Sequence, residues 1–192
     1  MDSLRSTIER VASIRQSEIR GEFYRHASPG RDAFAGGFHG RWGANFPVIY
    51  LGRPVDSSII EAYRHLVEDA GVPPEHVKRR VLYTVPVAVT RVLDLTADGA
   101  AAEVGLLEAD LRSAVGEYAA CQRVAAAAHQ LKYHGILAPA AEGDGETLAL
   151  FRDRLTLSEL PIASVETLWD QLPADPRRGG GRLVQFPRRV DN

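Results

Sequence analysis

Phe23-Tyr24-Arg25-His26, Gly40-Arg41-Trp42 and Val48-Ile49-Tyr50-Leu51-Gly52 follow one another closely near the start of the chain, and a helix-like segment carrying Glu61 comes next. The third stretch is a short, unbroken apolar run, the pattern of a strand buried on both faces. Asp56 or Ser57 then caps a helix through Ala70, with Ile59, Ile60, Tyr63, Leu66 and Val67 on its packed face. The first stretch reads as a strand over residues 22–27 after Gly21, which places Arg25 on the face opposite Tyr24 and His26. Between the two strands, residues 28–44 are rich in glycine and poor in aliphatic side chains, the composition of a loop. Strand, loop, strand and helix in this order indicate an α/β (α+β) domain in which helices flank mixed sheets.

Arginine in such a loop points to phosphate chemistry, because a guanidinium is a planar fork of donors that matches phosphate oxygens. Gly40 and Gly43 on either side of Arg41 and Trp42 permit a close approach of backbone to ligand. A nucleotide-like ligand fits that combination. The residues by themselves leave alternatives open. Ion-paired surface arginines account for Arg25 and Arg41 equally well. Glu61 among Ile59, Ile60 and Ala62 suits the solvent side of an amphipathic helix. Tyr50 in an apolar strand is by default a core residue, and Trp42 a packing anchor.

Tyr24-Arg25, Gly40-Arg41-Trp42, the strand Pro47-Val48-Ile49-Tyr50-Leu51, Glu61, Cys121-Gln122 and the turn Gly135-Ile136-Leu137-Ala138-Pro139-Ala140-Ala141 together resemble the RES-domain family, the toxin halves of bacterial Xre/RES toxin–antitoxin pairs. The likeness covers most of residues 22–151. It implies a single domain over residues 1–172 with an ADP-ribosyltransferase-like fold, and NAD as substrate. The implied reaction releases nicotinamide and passes ADP-ribose to phosphate, with water or a protein as alternative acceptors. It also implies Glu61, Arg41 and Tyr50 as catalytic residues and Arg25, Arg41, Tyr50, Trp42, His26 and Gln122 as NAD-binding residues. An Xre-type antitoxin is the implied partner. Three positions depart from the family pattern: Gly43 stands where asparagine is usual, His26 where an aromatic often follows the arginine, and Ala119 where some members have serine. A module that binds NAD or antitoxin without turnover is the alternative those departures support.

Composition bounds the rest. A chain of 192 residues with 45% hydrophobic and 25% charged side chains is long enough to bury a core without disulfides or metal. A net charge of -2 gives no reason to expect nucleic acid. One cysteine, no basic-then-apolar N-terminus and no run of about 20 apolar residues direct the expectation to a cytoplasmic protein without a membrane span. His26, His39, His129 and His134 match no compact ligand spacing, so no metal is expected. Cys121, before an alanine-rich helical run, reads as a small hydrophobe and not a nucleophile.

The remaining elements follow from periodicity. Leu4, Ile8, Val11 and Ile14 predict a helix over residues 3–19. Residues 81–89 and 91–95 read as two strands, with Pro86 marking an edge or bulge. Residues 100–114 read as helix in pieces, 115–132 as a small-residue helix, and 136–138 and 147–151 as late strands. The basic stretch 173–192 lacks periodicity and is expected to be a flexible tail.

Overall fold

In a computed structural model that describes residues 4–43, 45–114 and 116–178, the chain forms one mixed sheet with helices against its outside. The order is α1 (Leu4–Ser13), β1 (Ser17–Ala27), β2 (Val48–Arg53), α2 (Val55–Ala62), a π-helical segment (Tyr63–Glu68), a 3-10 turn (Pro74–His76) and β3 (Arg80–Asp94). Then come α3 (Ala100–Glu103), α4 (Glu108–Leu111), α5 (Ala119–Gln130), β4 (Gly135–Pro139), β5 (Glu146–Phe151) and β6 (Val165–Trp169). Neighbouring strands pair in the order β1-β2-β5-β4-β3-β6, and β1 also pairs with β3. Five strands therefore close into a ring, with β6 attached to the outer edge of β3. Every pairing is antiparallel except β3 with β4.

Period-two alternation fills the ring. Phe23 and Ala27 of β1, Ile49 and Leu51 of β2, Val85, Val87 and Val89 of β3, and Leu148 and Leu150 of β5 form one buried cluster. Val48 and Tyr50 have the opposite parity on β2 and face outward, toward a second cluster in which Val11, Val124, Ala125 and Ala128 join α1 and α5 to the sheet. The alanines allow α5 to lie close to the strands, and they carry high helix propensity. A third cluster, Ile59, Ala62, Tyr63, Leu82 and Trp169, seats α2 and the π-helical segment.

The sheet differs from the sequence expectation where pairing outweighs local pattern. The helix predicted to residue 19 ends at Ser13, because Ser17 and Ile19 pair with Val92 and Val89 of β3. Tyr133 Oη donates to the carbonyls of Val11 (3.1 Å) and Ile14 (3.0 Å), satisfying acceptors at that helix end. Gly21 does not stop a helix but sits within β1 at φ +130°. The two strands expected before and after residue 90 are one bent strand. Arg91 adopts φ 55° where the register with β1 slips, so the bend is a bulge. Pro86 falls in the gap between the pairings of β3 with β6 and with β4, where no donor is demanded of it. The helix expected to open at Asp56 or Ser57 has Pro54 as its N-cap, and Ser57 Oγ donates back to the Arg53 carbonyl (3.1 Å). Its continuation toward Ala70 becomes π-helical from Tyr63.

The segment expected to run free from Pro173 is anchored as far as Arg178. Tyr63 Oη donates to the Pro173 carbonyl (2.9 Å), and Arg177 pairs with Asp175, Glu68 and Glu142. The remainder of that stretch lies outside the described residues.

Candidate active site

A cavity of about 410 Å³ opens between the outer face of β2 and β5 and the α2 helix with its π-helical continuation. Six stretches of the chain reach it. The loop bearing Gly40, Arg41 and Trp42 forms one side, and Tyr50 and Gly52 come from β2. Glu61, Arg64 and His65 project from α2 and the π-helical segment, and the turn after β4 brings Pro139, Ala140 and Ala141. Tyr118 just before α5, and Thr147 of β5, complete the wall.

Tyr50 organises the loop side. Its hydroxyl accepts from the Trp42 backbone N–H (2.9 Å) and donates to the His39 carbonyl (3.3 Å). Burial raises the phenol well above its ordinary pKa, the hydrogen bond from Trp42 opposing this only in part. Gly40 stands at φ +103°, and a Cβ there would meet Tyr50 Oη at 2.7 Å. A Cβ on Gly43 would meet the His39 carbonyl oxygen at 2.7 Å. The two glycines thus make room for Tyr50 and for closure of their own turn, a correction to the reading that they admit a ligand.

Arg41 lines the cavity with its guanidinium already engaged. Nη1 donates to the Asp110 carbonyl (2.7 Å) and to Ser113 Oγ (2.9 Å), Nη2 donates to the Ser113 carbonyl (2.9 Å), and the group lies 4.8 Å from the Tyr118 ring centroid. Carbonyls at a helix end lack partners within the helix, so that of Asp110 in the last turn of α4 and that of Ser113 beyond it are natural acceptors for an arginine. Arg41 therefore fastens Asp110, Ser113 and Tyr118 to the cavity. Gln122 Nε2 donates to the Gly40 carbonyl (3.1 Å) and holds the same loop from α5, outside the cavity lining.

Arg25 shares the strand parity of Phe23 and Ala27 and is drawn under the site. Its Nη1 donates to the Tyr50 carbonyl (2.7 Å), and its Nε is buried without a partner. Burial lowers its pKa, and the Glu61 charge is the first influence that opposes this. Arg25 is absent from the cavity wall and supports Tyr50 from behind. His26 is farther removed: it accepts from Arg80, stacks on Trp169 at 6.2 Å, and is pushed down to about 3 by burial and by Arg80. A neutral imidazole so placed holds β1 to β6 and lies outside the cavity lining. Trp42, 1% exposed, is packed in the core and presents no free ring for stacking.

Glu61 is half-exposed, and His65 Nε2 lies 3.9 Å from its carboxylate while His65 Nδ1 lies 2.9 Å from Asp69. Arg64 and His65 went unnoticed in the sequence, although positions three and four beyond Glu61 share its helical face. Tyr118 carried no local signal. Cys121 is buried, its thiol raised to about 11 first by desolvation, and it lies against the Asp110 carbonyl. The histidines do not converge: His129 pairs with Asp153 and His134 with Glu159. Among the described residues no group of three or more His, Cys, Asp or Glu side chains could hold a metal ion.

Comparison with known proteins places this geometry. The RES domain model matches residues 14–170. NAD(+) phosphorylase MbcT of Mycobacterium tuberculosis is 32% identical over 163 residues, covering 81% of this chain and 86% of the relative, and the Mycobacterium bovis protein matches equally. The crystal structure of the M. tuberculosis MbcT–MbcA toxin–antitoxin complex superposes with a TM-score of 0.74 at 28% identity, covering 85% of this chain and 91% of that one. No helix among the described residues is long and apolar enough to cross a membrane.

Proposed function

The chain belongs to the RES domain family, and from that premise we propose that it is an NAD phosphorylase and the toxin half of a toxin–antitoxin pair. The observation that carries the reading is the cavity, in which Arg41, Tyr50 and Glu61 meet the Pro139-Ala140-Ala141 turn from far along the chain. Breaking the nicotinamide–ribose bond demands little proton transfer, because nicotinamide departs neutral from a pyridinium. What the enzyme supplies is position and charge. Glu61 accepts hydrogen bonds from ribose hydroxyls and offsets the positive charge that develops at the anomeric carbon, as carboxylates do at other glycosidic bonds. Tyr50 fixes the loop that encloses the substrate, and Arg41 holds Asp110, Ser113 and Tyr118 in place at the cavity wall. Arg25 adds positive potential beneath the site for a diphosphate. On this reading the domain is of the ADP-ribosyltransferase-like type and works in the cytoplasm, restrained by an antitoxin that covers the cavity.

Incubating the purified protein with NAD, with and without phosphate, and identifying products by mass spectrometry tests the activity. Nicotinamide and a phosphorylated ADP-ribose are expected, and intact NAD after prolonged incubation would refute the reading. Saturating antitoxin should suppress turnover, with coupling between antitoxin and NAD equal in both directions.

A further inference from the structure

Arg64 stands in the cavity wall one helical turn beyond Glu61. Its Nε lies 3.1 Å from Glu142 Oε1, on the turn that follows β4, and its side chain is 15% exposed. Arg41 spends its donors on Asp110 and Ser113. Arg64, among the described residues, is held by one carboxylate. That carboxylate has a second cation, because Arg177 Nη1 donates to Glu142 Oε2 at 2.5 Å and is itself fixed by Asp175. Glu142 therefore stays paired when Arg64 turns away, so exchanging Arg64 onto another anion leaves no orphaned charge at the rim. His65, beside Glu61, adds a further donor on the same face.

Resting on the phosphorylase reading above, we infer that Arg64, released from Glu142, binds the inorganic phosphate that accepts the ADP-ribosyl group and so selects phosphate over water. A hydrogenphosphate dianion approaching an anomeric carbon next to the Glu61 carboxylate requires a nearby cation, and a guanidinium fork can take two of its oxygens. In the transfer a phosphate oxygen lone pair forms the new C–O bond as the C–N bond breaks. The C–N electron pair leaves with nicotinamide, the phosphate keeps its proton, and nothing is oxidised or reduced. Water is neutral and gains little from the same cation.

The test is steady-state turnover of the full chain, with phosphate titrated at saturating NAD and NAD titrated at saturating phosphate, nicotinamide, ADP-ribose and phosphorylated ADP-ribose being quantified together. Arg64→Gln should raise the KM for phosphate on the order of tenfold or more and tilt the products toward ADP-ribose, with a much smaller change in the KM for NAD. Arg64→Lys should recover part of the loss as a point charge. Arg79→Ala, in an exposed pair with Asp170, should keep the phosphate dependence of the parent. Glu142→Gln, which frees Arg64 while leaving it in place, should lower the KM for phosphate. An Arg64→Gln protein with unaltered melting temperature and unaltered phosphate KM overturns the assignment, as does a rise confined to the KM for NAD, which would move Arg64 to the NAD diphosphate. If Arg64→Gln does not fold, a raised phosphate KM in Glu142→Gln decides against it. A parent protein that releases no nicotinamide at all overturns the phosphorylase reading and the acceptor site with it.

Discussion

Arg41 and Arg64 line the same cavity, but Arg41 donates to two backbone carbonyls and a hydroxyl, whereas Arg64 pairs with a single carboxylate that has another cation in reserve. Backbone carbonyls cannot leave, so the first arginine is part of the frame. A carboxylate shared with Arg177 can give up one partner, so the second is exchangeable. The same side chain thus serves fixation on the loop side of the cavity and anion exchange on the helical side. The distinction arises from what surrounds each guanidinium, not from the residue type.

The comparison can be broken most decisively at Glu61, on the exchangeable side. Glu61→Gln keeps size and hydrogen bonding but removes the charge, and should lower kcat by about 10²–10³ with an unchanged melting temperature. Undiminished turnover would end its proposed role. Arg41→Ala, on the fixed side, should cost stability as well as activity, roughly 2 kcal/mol, because the Asp110 and Ser113 acceptors lose their donor. A denaturation midpoint equal to that of the parent would show that the loop does not need it. Gly40→Ala should cost about 1–2 kcal/mol by driving a Cβ into Tyr50 Oη at an unfavourable φ, read as a lower midpoint together with weaker NAD binding.

His26 gives a pH test away from the cavity. Its folded pKa, about 3, lies below the unfolded 6.5, so the unfolded chain takes up a proton first as the solution is acidified. The contribution of neutral His26 to stability is complete above about pH 6.5 and declines as pH falls toward 3. Replacing it with Gln should flatten the stability profile across that window in urea titrations, and a slope identical to the parent would locate the sensitivity elsewhere. The smallest effect is expected for Arg79→Ala. Its pair with Asp170 is 69% exposed on both sides, so stability should change by less than about 0.5 kcal/mol.

Much of the scaffold was readable without coordinates. The unbroken apolar run of residues 48–51 marks β2, and the small residues within 115–132 mark the helix that lies close to strands. Glu61 and the turn 139–141, read from family likeness, do share one cavity with Tyr50. Local pattern failed where long-range pairing decided. Residues 17–19, expected at the end of the first helix, are captured by β3, and Arg91 joins two apparent strands through a bulge. At Trp42 the local reading as a packing anchor matches its place in the α5 core, and at His26 the contacts with Arg80 and Trp169 come from residues far along the chain.

By itself the sequence determined the periodicities that make strands and helices, the apolar content that closes a core, and the residue types able to meet a phosphate or an oxocarbenium centre. Tertiary structure alone decided which of those residues are free to act. Hydrogen-bond donors are finite, and Arg41 commits its own to atoms 69 and 72 positions away. Arg25 is turned beneath Tyr50 by the parity of its strand, while Arg64 keeps a partner it can exchange. Such competition for donors depends on which distant acceptors the fold brings within about 3 Å, a quantity that no local spacing encodes.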